Sequence, residues 1–149
     1  MAKWLAAAAV LVPVVFAAAV GQRVAGETST AVAVVYLTGS RVCHQRPDRS
    51  FQTAGVQWPV CARCSGLYLG AAAGSLLTLG VLAGRRRERQ PARWLIGASL
   101  PTALTIAVEW SGVAPVSNLV RSVAALPAGA AVARAIILAV SERRAKAIG

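Results

Sequence analysis

The sequence predicts an all-α integral membrane protein: a bundle of four transmembrane helices with a short outer-face helix and an ordered Cys/His loop, in a single domain over residues 1–149. Three observations carry that prediction. The chain is 56% hydrophobic and only 14% charged, where a soluble domain averages about 25% charged. Its apolar mass is alanine, valine, leucine and glycine with few aromatics, a composition suited to helices packed closely in lipid. The formal net charge of +11 is concentrated in arginines beside long apolar runs, where they set topology and meet anionic lipid. No basic face with interleaved aromatics appears, which argues against nucleic acid as a partner.

Residues 4–20 are uncharged and follow Lys3. At about 1.5 Å per residue they just cross a bilayer core, and Pro13 would kink them tolerably. A cleaved signal peptide is the competing reading, with small residues at Ala17–Ala19. Residues 21–30 are polar, and Thr28, Ser29 or Thr30 can cap a following helix. That helix, which includes Ala31 to Leu37, is too short to span and is expected to lie at the interface or against the bundle. The outer Cys/His segment covers about residues 38–64, with Arg41 to Trp58 expected as an ordered loop.

The second span is expected at 65–83. Gly66, Gly70 and Gly74 recur every fourth residue and so share one helix face. Such a face lets a second helix approach closely, so it is a candidate surface for a membrane-protein partner or a homo-oligomer. Five arginines within residues 85–93 mark a cytoplasmic loop. Spans at about 94–113 and 119–140 follow, separated by a turn at 114–118, and the tail after Ser141 is basic.

Placing the arginine loop and both termini in the cytoplasm of a prokaryotic plasma (inner) membrane puts the Cys/His segment outside. Glu109 then lies about 22 Å up a core about 30 Å thick. It shares the outer end with Ser117, Asn118 and Arg121, and its plainest role is an ion pair with Arg121.

All three cysteines and the single histidine fall between Cys43 and Cys64. Two chemistries compete for them. Cys43, His44, Cys61 and Cys64 can bind a metal; three sulfurs and an imidazole suit zinc or iron. Arg49, Arg63, Glu109, Asn118 and Arg121 are candidates for the surrounding shell. Alternatively Cys61 and Cys64 form a disulfide or a redox pair, with Cys43 able to exchange and Arg63 lowering a thiolate pKa. Ser65 is a candidate cap for the helix after Cys64, and Phe51, Trp58 and Tyr68 are candidate interfacial residues. A third class is a non-catalytic accessory subunit of a membrane complex. No nucleophile triad and no phosphate-binding glycine loop is present.

The run Cys-His-Gln-Arg-Pro-x-Arg-Ser-Phe, with Pro-Val-Cys-Ala-Arg-Cys-Ser-Gly-Leu-Tyr-x-Gly, resembles a family of small prokaryotic membrane proteins known only as a domain of unknown function. The resemblance covers roughly residues 30–135 and rests on Cys43, His44, Gln45, Pro47, Arg49, Ser50, Phe51, Pro59, Cys61, Arg63, Cys64, Gly66, Tyr68 and Gly70. Pro101, Ser117, Asn118 and Arg121 resemble its second half, whereas Glu109-Trp110 stands where many relatives carry an Asp-Gly pair. The resemblance implies membrane location and a role for the Cys/His stretch, and no reaction.

Overall fold

The structure, a computed structural model, describes the backbone of residues 2–83 and 91–148 and the side chains of 2–80 and 93–143. The arginine loop at 85–93 therefore lies largely outside the described residues. Among the described residues there are five α-helices: α1 (Ala2–Val24), α2 (Thr30–Val42), α3 (Ala62–Ala83), α4 (Pro91–Ser111) and α5 (Asn118–Ile148). Two short strands, β1 (Ser50–Thr53) and β2 (Val56–Cys61), pair antiparallel between α2 and α3.

This corrects the expectation of an all-α bundle with four spans. Among the described residues, two helices are long and apolar enough to cross a membrane: α1 and the Asn118–Arg143 part of α5. At 22 and 21 residues α3 and α4 have the length, but polar residues dilute their apolar character. Arg63, Ser65, Ser75 and Thr78 lie on α3, and Thr102, Thr105, Glu109 and Ser111 on α4. Ser65, Ser75 and Thr78 are buried.

The sheet also replaces part of the expected loop. Ala54 and Gly55 both take positive φ, 48° and 78°. Two such residues make a hairpin turn whose twist matches the flanking strands. Glycine adopts that conformation without steric cost. Phe51 and Trp58 meet edge to face across the strands, with ring centroids 6.1 Å apart, and the Trp58 indole donates to Thr53 Oγ1 at 3.0 Å.

α3 and α5 form the centre of the bundle. A methyl group added at Gly66 would strike the backbone of Ser122, one at Gly70 that of Leu126, and one at Gly74 that of Ala130. The partners advance together, so the two helices run parallel with their backbones in contact. Gly129 of α5 meets Leu67 of α3 in the same way. The glycine face is thus used inside the chain. α4 runs back along α5: the Thr102 hydroxyl donates to the Ala124 carbonyl at 2.8 Å, and Glu109 reaches Arg121. α1 lies on α3 through the edge-to-face pair Phe16–Tyr68, 5.4 Å between centroids.

Two helix starts are capped by serine hydroxyls. Ser29 accepts from the Val32 amide at the start of α2. Ser117 accepts from the Val120 amide at the start of α5. Ser65 does not cap α3, because that helix begins three residues earlier; its hydroxyl donates to the Cys61 carbonyl at 3.2 Å.

Candidate metal centre

The hairpin sits at one end of the bundle. α3 and α5 begin there, and the last turns of α1 and α4 arrive there. Arg23, in the last turn of α1, lies over the Tyr36 ring at 4.9 Å. The Tyr36 hydroxyl donates to the Gln57 carbonyl of β2 at 2.7 Å.

Cys43 ends α2, Cys61 ends β2, and Cys64 is in the first turn of α3. Their three Sγ atoms lie within 4.8 Å of one another, and all three are free thiols. The Cys61 amide donates to Cys43 Sγ at 3.1 Å, which holds the far end of the loop against β2. Cys43 is buried, while Cys61 and Cys64 are half-buried. His44 is exposed and lies outside the converging group. The structure thus brings together three of the four residues proposed as ligands.

Gln45 carries the alignment of this loop. It sits at φ 46°, a left-handed conformation uncommon for a residue with a side chain. Its Nε2 donates to the carbonyls of Tyr36 at 2.9 Å and Pro59 at 2.7 Å, and its own carbonyl accepts from Gln57 Nε2 at 2.5 Å. These bonds tie α2 and β2 to the turn between Cys43 and Ser50. The pattern of residues contains Gln45, but nothing local indicates that its partners lie nine and fourteen positions away.

Behind the cysteines lies a buried ion cluster. Glu109 accepts from Arg63 Nη2 at 3.1 Å and also from Arg121 Nε. Its side chain is 7% exposed, against 20% for Arg63 and 12% for Arg121. Arg63 also approaches Thr105 Oγ1 at 3.4 Å, while its Nε is buried without a partner. Arg121 donates to Asn118 Oδ1 at 2.6 Å, and Asn118 Nδ2 donates to the Ser50 carbonyl at 3.1 Å. One chain of bonds therefore joins α3, α4, α5 and β1. The ion pair between Glu109 and Arg121 was readable from the sequence; the entry of Arg63 was not. Arg49 is half-exposed beside Asp48 at 3.7 Å, with a buried Nε that has no hydrogen-bond partner.

The thiols differ in acidity. A hydrogen bond from the Cys64 side chain, aided by amides and by Cys43, lowers Cys61 to about 5 against partial burial. Cys64 is pushed upward by its bond to Cys61, by burial and by the neighbouring sulfurs. Above pH of about 5 Cys61 is a thiolate, whereas an ordinary thiol titrates near 8.5. In metal-free protein, iodoacetamide should modify Cys61 first. Its rate should be level from pH 6 to 8 (about the range over which a normal cysteine rises steeply), as read by peptide mapping.

A family model described as "Predicted membrane protein (DUF2085)" matches residues 43–135. The chain is 32% identical over 96 residues to an uncharacterized protein of Methanocaldococcus jannaschii, covering 64% of this chain and 61% of that one. It is 53% identical over 30 residues to an uncharacterized protein of Methanothermobacter thermautotrophicus, covering 20% of this chain and 27% of that one. The chain thus spans less than two thirds of the length of either relative. No solved structure matches.

Proposed function

The chain belongs to the DUF2085 family of predicted membrane proteins, and from that premise we propose that it binds a metal ion, zinc or iron, through Cys43, Cys61 and Cys64. The observation that carries this reading is the convergence of three sulfurs within 4.8 Å. Three thiolates about 2.3 Å from one ion, at tetrahedral angles, would lie about 3.8 Å apart. The side chains need close by no more than about 1 Å to reach that geometry. Soft sulfur donors suit zinc and iron rather than hard cations such as magnesium. The acid Cys61 thiol supports the reading as well, since metal binding needs the deprotonated form.

Elemental mass spectrometry on detergent-purified full chain, kept free of chelators, tests the reading. About one zinc or iron per chain is expected, falling to background in Cys61→Ser/Cys64→Ser. Wild type at background, or a double variant that keeps its metal, refutes it.

A membrane thiol–disulfide redox protein is the second reading, favoured by the same three adjacent thiols and by the unequal acidity of Cys61 and Cys64. It predicts that Cys61 and Cys64 are found oxidised in a fraction of the protein trapped directly from cells.

We place the chain in a prokaryotic plasma membrane with the cysteines on the outer face. Support comes from charge: the cysteine end lies at the end of α1 and the start of α5, so Lys3 and the basic residues after Ser141 lie at the opposite end. A membrane-impermeant maleimide should label Cys61 or Cys64 in intact, metal-depleted cells. Labelling only after the cells are broken would reverse the orientation.

A further inference from the structure

We propose that the ion held by the three cysteines has a fourth position open to a ligand from outside the chain, and that this position takes a thiolate. The proposal rests on the metal-binding reading above and says what that site is for: capture of a small thiol-bearing molecule. Among the described residues, the group of converging ligand atoms is three sulfurs and no more. A zinc-type ion prefers four ligands, and protein sites with three of them hold an exchangeable one. His44 is next to Cys43 in sequence, but neighbouring side chains diverge where the chain leaves a helix in extended form. Cys43 has φ −145° and ψ 142°; it is buried and His44 is exposed. Cys61 and Cys64 are each only half-buried, so the cluster can be approached on their side while Cys43 closes the other.

Two features select the class of ligand. Donor softness is the first: an ion chosen by three thiolates favours a fourth soft donor. Charge is the second. The cluster of Arg63, Arg121 and Glu109 holds two cations and one anion, hence one net positive charge. Arg63 stands between Cys61 and Cys64 in the chain and keeps a buried Nε–H without a partner. That positive charge offsets the one net negative charge of a divalent ion held by three thiolates, which lowers the cost of adding a fourth, anionic ligand. The incoming thiol gives its proton to solvent and enters as thiolate, the water it displaces from the fourth position leaves to solvent, and no electron moves.

The test uses the full chain in detergent, loaded with cobalt(II) in place of the native ion and titrated with 2-mercaptoethanol. Wild type should show sulfur-to-cobalt charge-transfer bands that intensify and shift saturably with thiol. His44→Ala should respond identically, and Arg63→Gln should need about tenfold more thiol. Bands that ignore the thiol, or that vanish because it strips the ion, overturn the proposal. So does a response that appears only in His44→Ala, because His44 then fills the fourth position. If no charge-transfer bands sensitive to Cys61→Ser form at all, the metal reading itself has failed, which separates the two outcomes.

Discussion

Replacing Gly70 with valine is expected to abolish folding of the chain in mild detergent. The α3–α5 contact has no gap at this position: a single methyl would already overlap the carbonyl and Cα of Leu126. Backbone cannot rotate away as a flexible side chain can, so the helices must separate along their length. Separation would also loosen the contacts at Gly66, Gly74 and Gly129, which lie on the same interface. Overpacking costs about 1–3 kcal/mol where neighbours can adjust. A clash with fixed backbone belongs with the exceptional cases above about 4 kcal/mol, set against a typical total stability of roughly 5–15 kcal/mol. Gly80 supplies the control. It lies on the same helix, yet nothing approaches within 4 Å of its added methyl. Gly80→Val should elute as monodisperse protein with a nearly unchanged melting temperature, while Gly70→Val should be lost or aggregated. Equal behaviour of the two would mean that α3 and α5 do not touch through glycine.

The second large effect is expected from Glu109. Its carboxylate accepts from two guanidinium groups, and all three side chains are largely buried. Glu109→Ala leaves two like charges facing each other without a counter-charge. Removing one partner of a buried ion pair costs roughly 3–5 kcal/mol, because the remaining charge is stranded. The loss should spread, since Arg121 positions Asn118, and Asn118 holds the carbonyl of Ser50 in β1. The triple variant Arg63→Met/Glu109→Leu/Arg121→Met removes every charge together and should recover much of the lost stability. Thermal unfolding of the three proteins in one detergent decides the matter. A triple variant no better than Glu109→Ala would show that the bonds to Thr105 and Asn118, rather than the charges, stabilise this end of the bundle.

What the sequence disclosed follows the range over which each signal acts. The cap at Ser29 and the every-fourth-residue glycines are local, and both are visible in a few consecutive letters. The partner of the glycines is not local: α5 lies some fifty residues on, so the same face could equally suggest a second copy or another protein. Glu109 and Arg121 are close enough in sequence, across one short turn, for pairing to be inferred. Arg63 is 46 residues from Glu109, and only the parallel packing of α3 on α5 brings it there.

The hairpin is hard to read in the sequence because Cys, Trp and Pro in a polar stretch suggest a loop, although Ala54-Gly55 between Phe51 and Trp58 is a turn signal. The four-span expectation failed for a related reason. Length and overall apolarity point to four spans, whereas the charged and hydroxyl side chains of α3 and α4 lower their apolarity. Ligand chemistry alone groups His44 with the cysteines, and beyond the extended backbone at Cys43 it is exposed and outside the three converging sulfurs.

The spacing of the sulfurs has a consequence for the folding equilibrium itself. Cys43 and Cys61 are 18 residues apart along the chain, so an ion bridging them closes a ring that includes the whole hairpin. In the chain-entropy picture, closing a ring of that size removes freedom from the unfolded ensemble worth about 3 kcal/mol. The short step from Cys61 to Cys64 adds little, because those residues are already neighbours in a turn of helix. Were the proposed ion bound, its affinity and the stability of this end of the molecule would be two readings of one quantity: a chelator strong enough to take the ion would also reopen the ring, and the strands between the cysteines would be the first part of the chain to exchange their amides with solvent.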